Sequence, residues 1–206
     1  MKIKSVEVGP IGTNCYIVIN ENNGQGVVVD PGGSANRIVE VLQREKVEVK
    51  GIFLTHGHMD HIGALAEIKE LTQAPIYISK ADEPMLANPE SNLAAFMGTE
   101  LHCPPADKNY GQGDEIELAG MKFKILATPG HTPGGVCIVC ENAVFCGDTV
   151  FCESIGRTDF PGGSYSQIIE SIKNKILVLP QETTLYPGHG PSTSVDWEKR
   201  RNPFLQ

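Results

Sequence analysis

The chain has 206 residues, of which 40% are hydrophobic and 20% charged, with a formal net charge of −8. That length suits one globular domain with a sizeable core, and the composition is ordinary for a protein that lives in water. The acidic balance excludes nucleic acid as the main partner, since phosphate binding needs clustered Lys and Arg, and no run of about 18 apolar residues exists to span a membrane.

Polar and apolar residues alternate over residues 2–8, which predicts a strand in place of the unbroken apolar stretch of a secretory signal. Strands are also predicted over 14–20, 25–30 and 50–55, with a helix over 34–46. A second helix is predicted over 61–72, with Asp60 as its cap and Ile62, Leu65, Ile68 and Leu71 on one buried face. A strand over 75–79 and a helix over 80–87 follow. Residues 88–113, rich in Pro, Asn and Gly, are the least regular stretch and read first as a surface excursion, with a loop over a cleft as the other reading. Strands are predicted over 114–118, 121–127, 135–140 and 142–147, then a helix over 164–174, a strand over 182–186 and a helix over 194–201. Thr193-Ser-Val-Asp196 resembles a capping box for the last helix.

Cysteine stands at positions 15, 103, 137, 140, 146 and 152. Without a signal sequence, these point to a reducing cytoplasm. Cys137-Ile-Val-Cys140 matches the C-x-x-C pattern of redox and zinc sites, but residues three apart on a strand face opposite ways. Both are read as small buried hydrophobes.

Within Thr55-His56-Gly57-His58-Met59-Asp60-His61-Ile62-Gly63, four potential metal ligands fall in six positions. His131 sits in Thr128-Pro-Gly-His-Thr-Pro-Gly-Gly135 and His189 in Tyr186-Pro-Gly-His-Gly-Pro191, so five of the six histidines occupy Gly- or Pro-punctuated turns. Glycine permits close backbone approach and proline stiffens the turn, which suits a preorganised ligand set. His102 lacks such a setting and reads as structural or exposed. The two halves echo each other, because apolar strands run into Asp30, His56, Asp148 and His189 in turn. Such strand ends are where α/β folds build sites.

These motifs, in this order, resemble the metallo-β-lactamase superfamily over nearly the whole chain. The resemblance implies a four-layer αββα sandwich of two mixed β-sheets, formed by residues 1–206 as a single domain. It also implies two divalent metals, zinc first, with iron or manganese as the other choices. His56, His58 and His131 would bind the first metal, Asp60, His61 and His189 the second, and Asp148 both. Asp60 and Asp148 would also handle the proton. Asp30 matches a family position that orients a ligand imidazole; its other reading is a turn residue before Pro31.

Within the family, His58 stands where flavodiiron proteins have Glu, and Asp148 where the commonest zinc β-lactamases have Cys. Ser154-Ile-Gly-Arg157-Thr-Asp-Phe-Pro-Gly-Gly163 and Trp197-Glu-Lys-Arg-Arg-Asn-Pro203-Phe resemble the short bacterial form of glyoxalase II, hydroxyacylglutathione hydrolase. That implies attack of a bridging hydroxide on a small-molecule thioester, by a monomer or homodimer. Arg157 is the first candidate for a substrate carboxylate, followed by Arg200 and Arg201. The full-length enzyme's C-terminal basic region has no counterpart here, which leaves the thiol carrier open. Gly156-Arg-Thr-Asp-Phe160 also resembles the persulfide dioxygenases, whose single iron would sit on His56, His131 and Asp148. A lactonase or β-lactamase activity, or a non-catalytic metal site, are the remaining readings.

Overall fold

The computed structural model describes residues 1–206. Its first sheet runs in chain order: β1 (Lys2–Val8), β2 (Thr13–Ile19), β3 (Gln25–Val29), β4 (Glu48–Phe53), β5 (Ile76–Ser79) and β6 (Lys108–Tyr110). Strands β1 to β3 pair antiparallel, and β3 to β6 pair parallel. The second sheet begins with the meander β7 (Glu115–Leu118), β8 (Met121–Ala127), β9 (Val136–Cys140) and β10 (Ala143–Gly147). A two-stranded ribbon of β11 (Val150–Phe151) and β12 (Ser154–Ile155) follows. Strand β13 (Thr184–Pro187) then pairs parallel with β10, and β14 (Thr193–Ser194) closes that edge. The helices are α1 (Ala35–Arg44), α2 (Met59–Ile62), α3 (Leu65–Thr72), α4 (Tyr165–Ser171) and α5 (Val195–Arg201). None is long and apolar enough to cross a membrane.

Period-two side-chain alternation divides the apolar residues among three layers. Tyr16, Val18, Val27, Phe53, Phe123, Ile138 and Phe145 fill the space between the sheets. Ile17, Val28 and Ile52 face the other way and meet Ile38 and Leu42 of α1 and Leu65 and Ile68 of α3. On the opposite outer face, Val144, Cys146 and Leu185 meet Ile168 and Val195. Strand β2 is buried along its whole length, so it serves two layers at once. The result is the expected αββα sandwich. Cys137 lies in the outer layer and Cys140 between the sheets, as strand geometry requires.

Parallel pairing of β3 with β4, and of β10 with β13, brings four strand ends to one rim. The halves are joined there: Asn14 N donates to Gly188 O at 2.7 Å, and Tyr16 OH to Pro187 O at 2.7 Å.

The second predicted helix is two. Helix α2 ends at Ile62 and α3 starts at Leu65, because the chain at Gly63 passes against Gly32, leaving no room for a Cβ. Leu71, expected to be buried, is 57% exposed. Asp60 does not cap this helix; His58 holds the N-cap position, and Asp60 sits inside the first turn. The stretch expected as a helix over 80–87 is a 3-10 turn, Glu83–Ala87. Helix α4 widens after Ser171 into a π turn, Ile172–Ile176. Ser194, not Thr193, caps α5, accepting from Trp197 N at 3.2 Å.

Candidate metal centre

Each ligand-type side chain is delivered by the end of an element. His56 follows β4, and His58, Asp60 and His61 lie at or within α2. His131 lies in the turn between β8 and β9, Asp148 after β10, and His189 after β13. Their donor atoms form three sets within 4.8 Å: His56 with His58 and His131, His56 with His61 and Asp148, and Asp60 with His61 and His189. The first and last sets share no residue. All seven expected residues are therefore brought together as two triads with Asp148 between them.

The donor chemistry fits divalent metal. His56 Nε2, His61 Nε2 and Asp148 Oδ1 are buried without a hydrogen-bond partner. His61 Nε2 and Asp148 Oδ1 lie 3.2 Å apart, outside hydrogen-bond geometry. Buried polar atoms left without partners at this density are costly unless a cation takes the place of the missing partners. His58 Nδ1 and His131 Nε2 also face each other at 2.9 Å. Imidazole and carboxylate donors of this kind suit zinc and equally iron or manganese.

The outward ring atoms are held by hydrogen bonds that fix the tautomer. His131 Nδ1 donates to Arg157 O at 2.7 Å. His61 Nδ1 lies 2.9 Å from Asp30 Oδ2. Asp30 also accepts from Thr55 N at 2.8 Å and Thr55 Oγ1 at 2.6 Å. It is buried, with φ 51°, a left-handed conformation that Asp tolerates better than most residues. Its side chain thus serves the site while its backbone makes the turn before Pro31. Thr13 and Asp82 carry no sequence signal, and Thr55 opens the histidine motif without a role assigned to it, yet all three support the centre. Thr13 Oγ1 donates to Asp60 Oδ2 at 2.9 Å. Asp82 accepts from Thr132 Oγ1 and Gly134 N, both at 2.7 Å, pinning the turn that carries His131.

Electrostatics separate the histidines. Burial and neighbouring imidazoles push His56 well below the usual histidine value. Burial and His131 take His58 down to about 3. Both therefore offer neutral nitrogen at pH 7. Burial opposes charge on His61 as well, but Asp60, Asp148 and Asp30 outweigh it and hold its pKa well above the usual value. Burial acts to raise Asp60 and Asp148, and His61 above all brings both below the carboxylate range.

The centre opens into a cleft of about 880 Å³, lined by His58, Asp60, His131, Asp148 and His189. Leu93, Phe96, Met97, Thr99, Glu100 and Leu101 form part of its wall, so the irregular stretch is the loop over a cleft and not merely a surface excursion. Arg157 also lines the cleft, lies 4.2 Å over the Phe160 ring, and is paired with Asp159 through Nε at 2.9 Å and Nη2 at 2.7 Å. Arg200 and Arg201 do not line it. They are on α5, where Arg200 pairs with Asp196 and Arg201 lies over Trp197. His102 is exposed on the loop, its Nδ1 3.1 Å from Ala87 O.

The family model for the metallo-beta-lactamase superfamily matches residues 8–189. The chain belongs to that superfamily. Hydroxyacylglutathione hydrolase GloC of Haemophilus influenzae is 34% identical over 209 residues, covering 100% of this chain and 98% of the relative. The crystal structure of BLEG-1 B3 metallo-beta-lactamase superposes with a TM-score of 0.96 at 36% identity, over 100% of both chains. The structure of TTHA1623 in a di-iron-bound form gives a TM-score of 0.86 at 35% identity, over 98% of this chain and 100% of that one. As a member of the superfamily, the chain is a metal-binding hydrolase, and the cluster described above is its candidate centre.

Proposed function

We propose that this superfamily hydrolase is a thioesterase of the glyoxalase II type, cleaving S-lactoylglutathione or a related thioester. The observation that carries the reading is the pair of disjoint donor triads joined through Asp148 at the floor of one cleft. His56, His58 and His131 would hold one metal and Asp60, His61 and His189 the other, with Asp148 within reach of both sets. Two divalent metals bound there supply a water-derived nucleophile at neutral pH and polarise the scissile carbonyl. Zinc fits the donors, and iron fits them too.

The remaining work falls to the chain. Asp30 and the carbonyl of Arg157 keep two ligand rings turned inward. Asp60 or Asp148, the two carboxylates of the donor cluster that line the cleft, takes the proton released as water attacks. Arg157, at the cleft wall, exchanges Asp159 for a carboxylate on the thiol carrier. The 34% identity to a protein named hydroxyacylglutathione hydrolase supports this choice of substrate.

The test is turnover of S-lactoylglutathione by His58→Ala and Asp148→Ala. Each should lose more than the roughly 10- to 100-fold that loss of an outer hydrogen-bond partner costs a metal site. Wild-type turnover in either variant would refute the assignment.

A further inference from the structure

The wall of the cleft is chemically unlike its floor. Ile11, Phe96 and Met97 are 56%, 71% and 64% exposed, and all three line this one cleft beside the half-buried Leu93. Large apolar side chains clustered in the open around a concave site mark a surface awaiting a ligand. Charge points the same way. Arg157 is the only Lys or Arg in the lining and is already paired with Asp159, while Glu100 adds a negative charge. An acyl group with polar or anionic substituents finds few partners along this wall, whereas an alkyl chain covers it.

We propose that Ile11, Leu93, Phe96 and Met97 form an acyl-chain wall, so that the favoured substrates are thioesters of extended apolar acids. This rests on the thioesterase reading and narrows its acyl group; Arg157 remains the contact for the carrier. The products are a medium-chain carboxylate and the free thiol.

Two experiments on the metal-loaded full chain test it. The first compares kcat/KM for S-lactoyl, S-butanoyl, S-hexanoyl and S-octanoyl glutathione. Rates should climb about threefold per methylene buried against the wall. Phe96→Ser combined with Met97→Ser should flatten that slope, whereas Val178→Ser, an exposed apolar side chain outside this cleft, should keep it. The second measures calorimetric binding of the thioethers S-methyl- and S-octylglutathione, which need no turnover. The octyl compound should bind at least about tenfold tighter, and the double variant should lose that preference. A flat or falling rate series with equal thioether affinities overturns the wall while leaving the thioesterase standing. Absence of turnover across the whole series overturns the thioesterase, and the substrate class with it. If sedimentation shows the wild type as a dimer that Phe96→Ser breaks, with equal thioether affinities, the apolar wall is a self-association surface and the proposal falls.

Discussion

Asp30→Asn tests the link between fold and centre. The substitution keeps the shape and the left-handed backbone, which Asn tolerates well. The new amide can still accept from Thr55 N through one oxygen, and the Thr55 hydroxyl can turn to accept from the amide nitrogen. His61 has no such freedom, because its Nδ1 lies 2.9 Å from the atom that becomes NH2. The ring must then accept at Nδ1 and carry its hydrogen on Nε2, the buried atom that faces Asp148. A ligand held in the wrong tautomer costs metal affinity roughly 10- to 100-fold, or about 1.4–2.8 kcal/mol. Replacing one charge-assisted hydrogen bond should cost the metal-free fold about 2 kcal/mol as well. Zinc affinity is read by competition with a chromophoric chelator, and stability by urea unfolding of the metal-free proteins. If stability falls while zinc affinity stays within about twofold of wild type, Asp30 is only a turn residue and the orienting role is refuted.

Three further outcomes follow from the same geometry. The three carboxylates around His61 keep it protonated at pH 7 in metal-free protein, so zinc must displace that proton. Uptake should release protons and tighten as pH rises; equal calorimetric heats in buffers of different ionisation enthalpy would contradict this. Arg157→Ala should raise KM about tenfold for carboxylated thioesters, as expected for one lost charged hydrogen bond, while Arg200→Ala and Arg201→Ala leave it unchanged in steady-state kinetics. Glu198 is fully buried and accepts from Glu153 N at 3.0 Å, Thr193 Oγ1 at 2.5 Å and Asn202 Nδ2 at 2.7 Å. Glu198→Ala strands three donors under α5 and should cost about 3 kcal/mol in urea unfolding; a loss under about 1 kcal/mol would contradict the clamp.

The seven clustered residues were legible in the sequence because imidazole and carboxylate recur in stiff turns after apolar strands, and that pattern is local. What was illegible depends on contacts between distant segments. The break at Gly63 exists because residue 32 passes beside it, which no periodicity reveals, and Leu71 loses its expected burial in the shorter helix α3. Strand β6 escaped notice because it has three residues, two of them exposed, and only Tyr110 turns inward. Asp82 reaches the His131 turn across 50 and 52 positions of chain. Arg200 and Arg201 were grouped with Arg157 by motif, but α5 carries them to a surface apart from the cleft.

Metal stoichiometry of the purified protein, measured by mass spectrometry alongside S-lactoylglutathione turnover and oxygen uptake with glutathione persulfide, separates a two-metal hydrolase from a one-iron oxygenase. Two divalent metals per chain, thioester hydrolysis and no oxygen uptake are expected. One iron per chain with persulfide-dependent oxygen consumption would contradict that expectation.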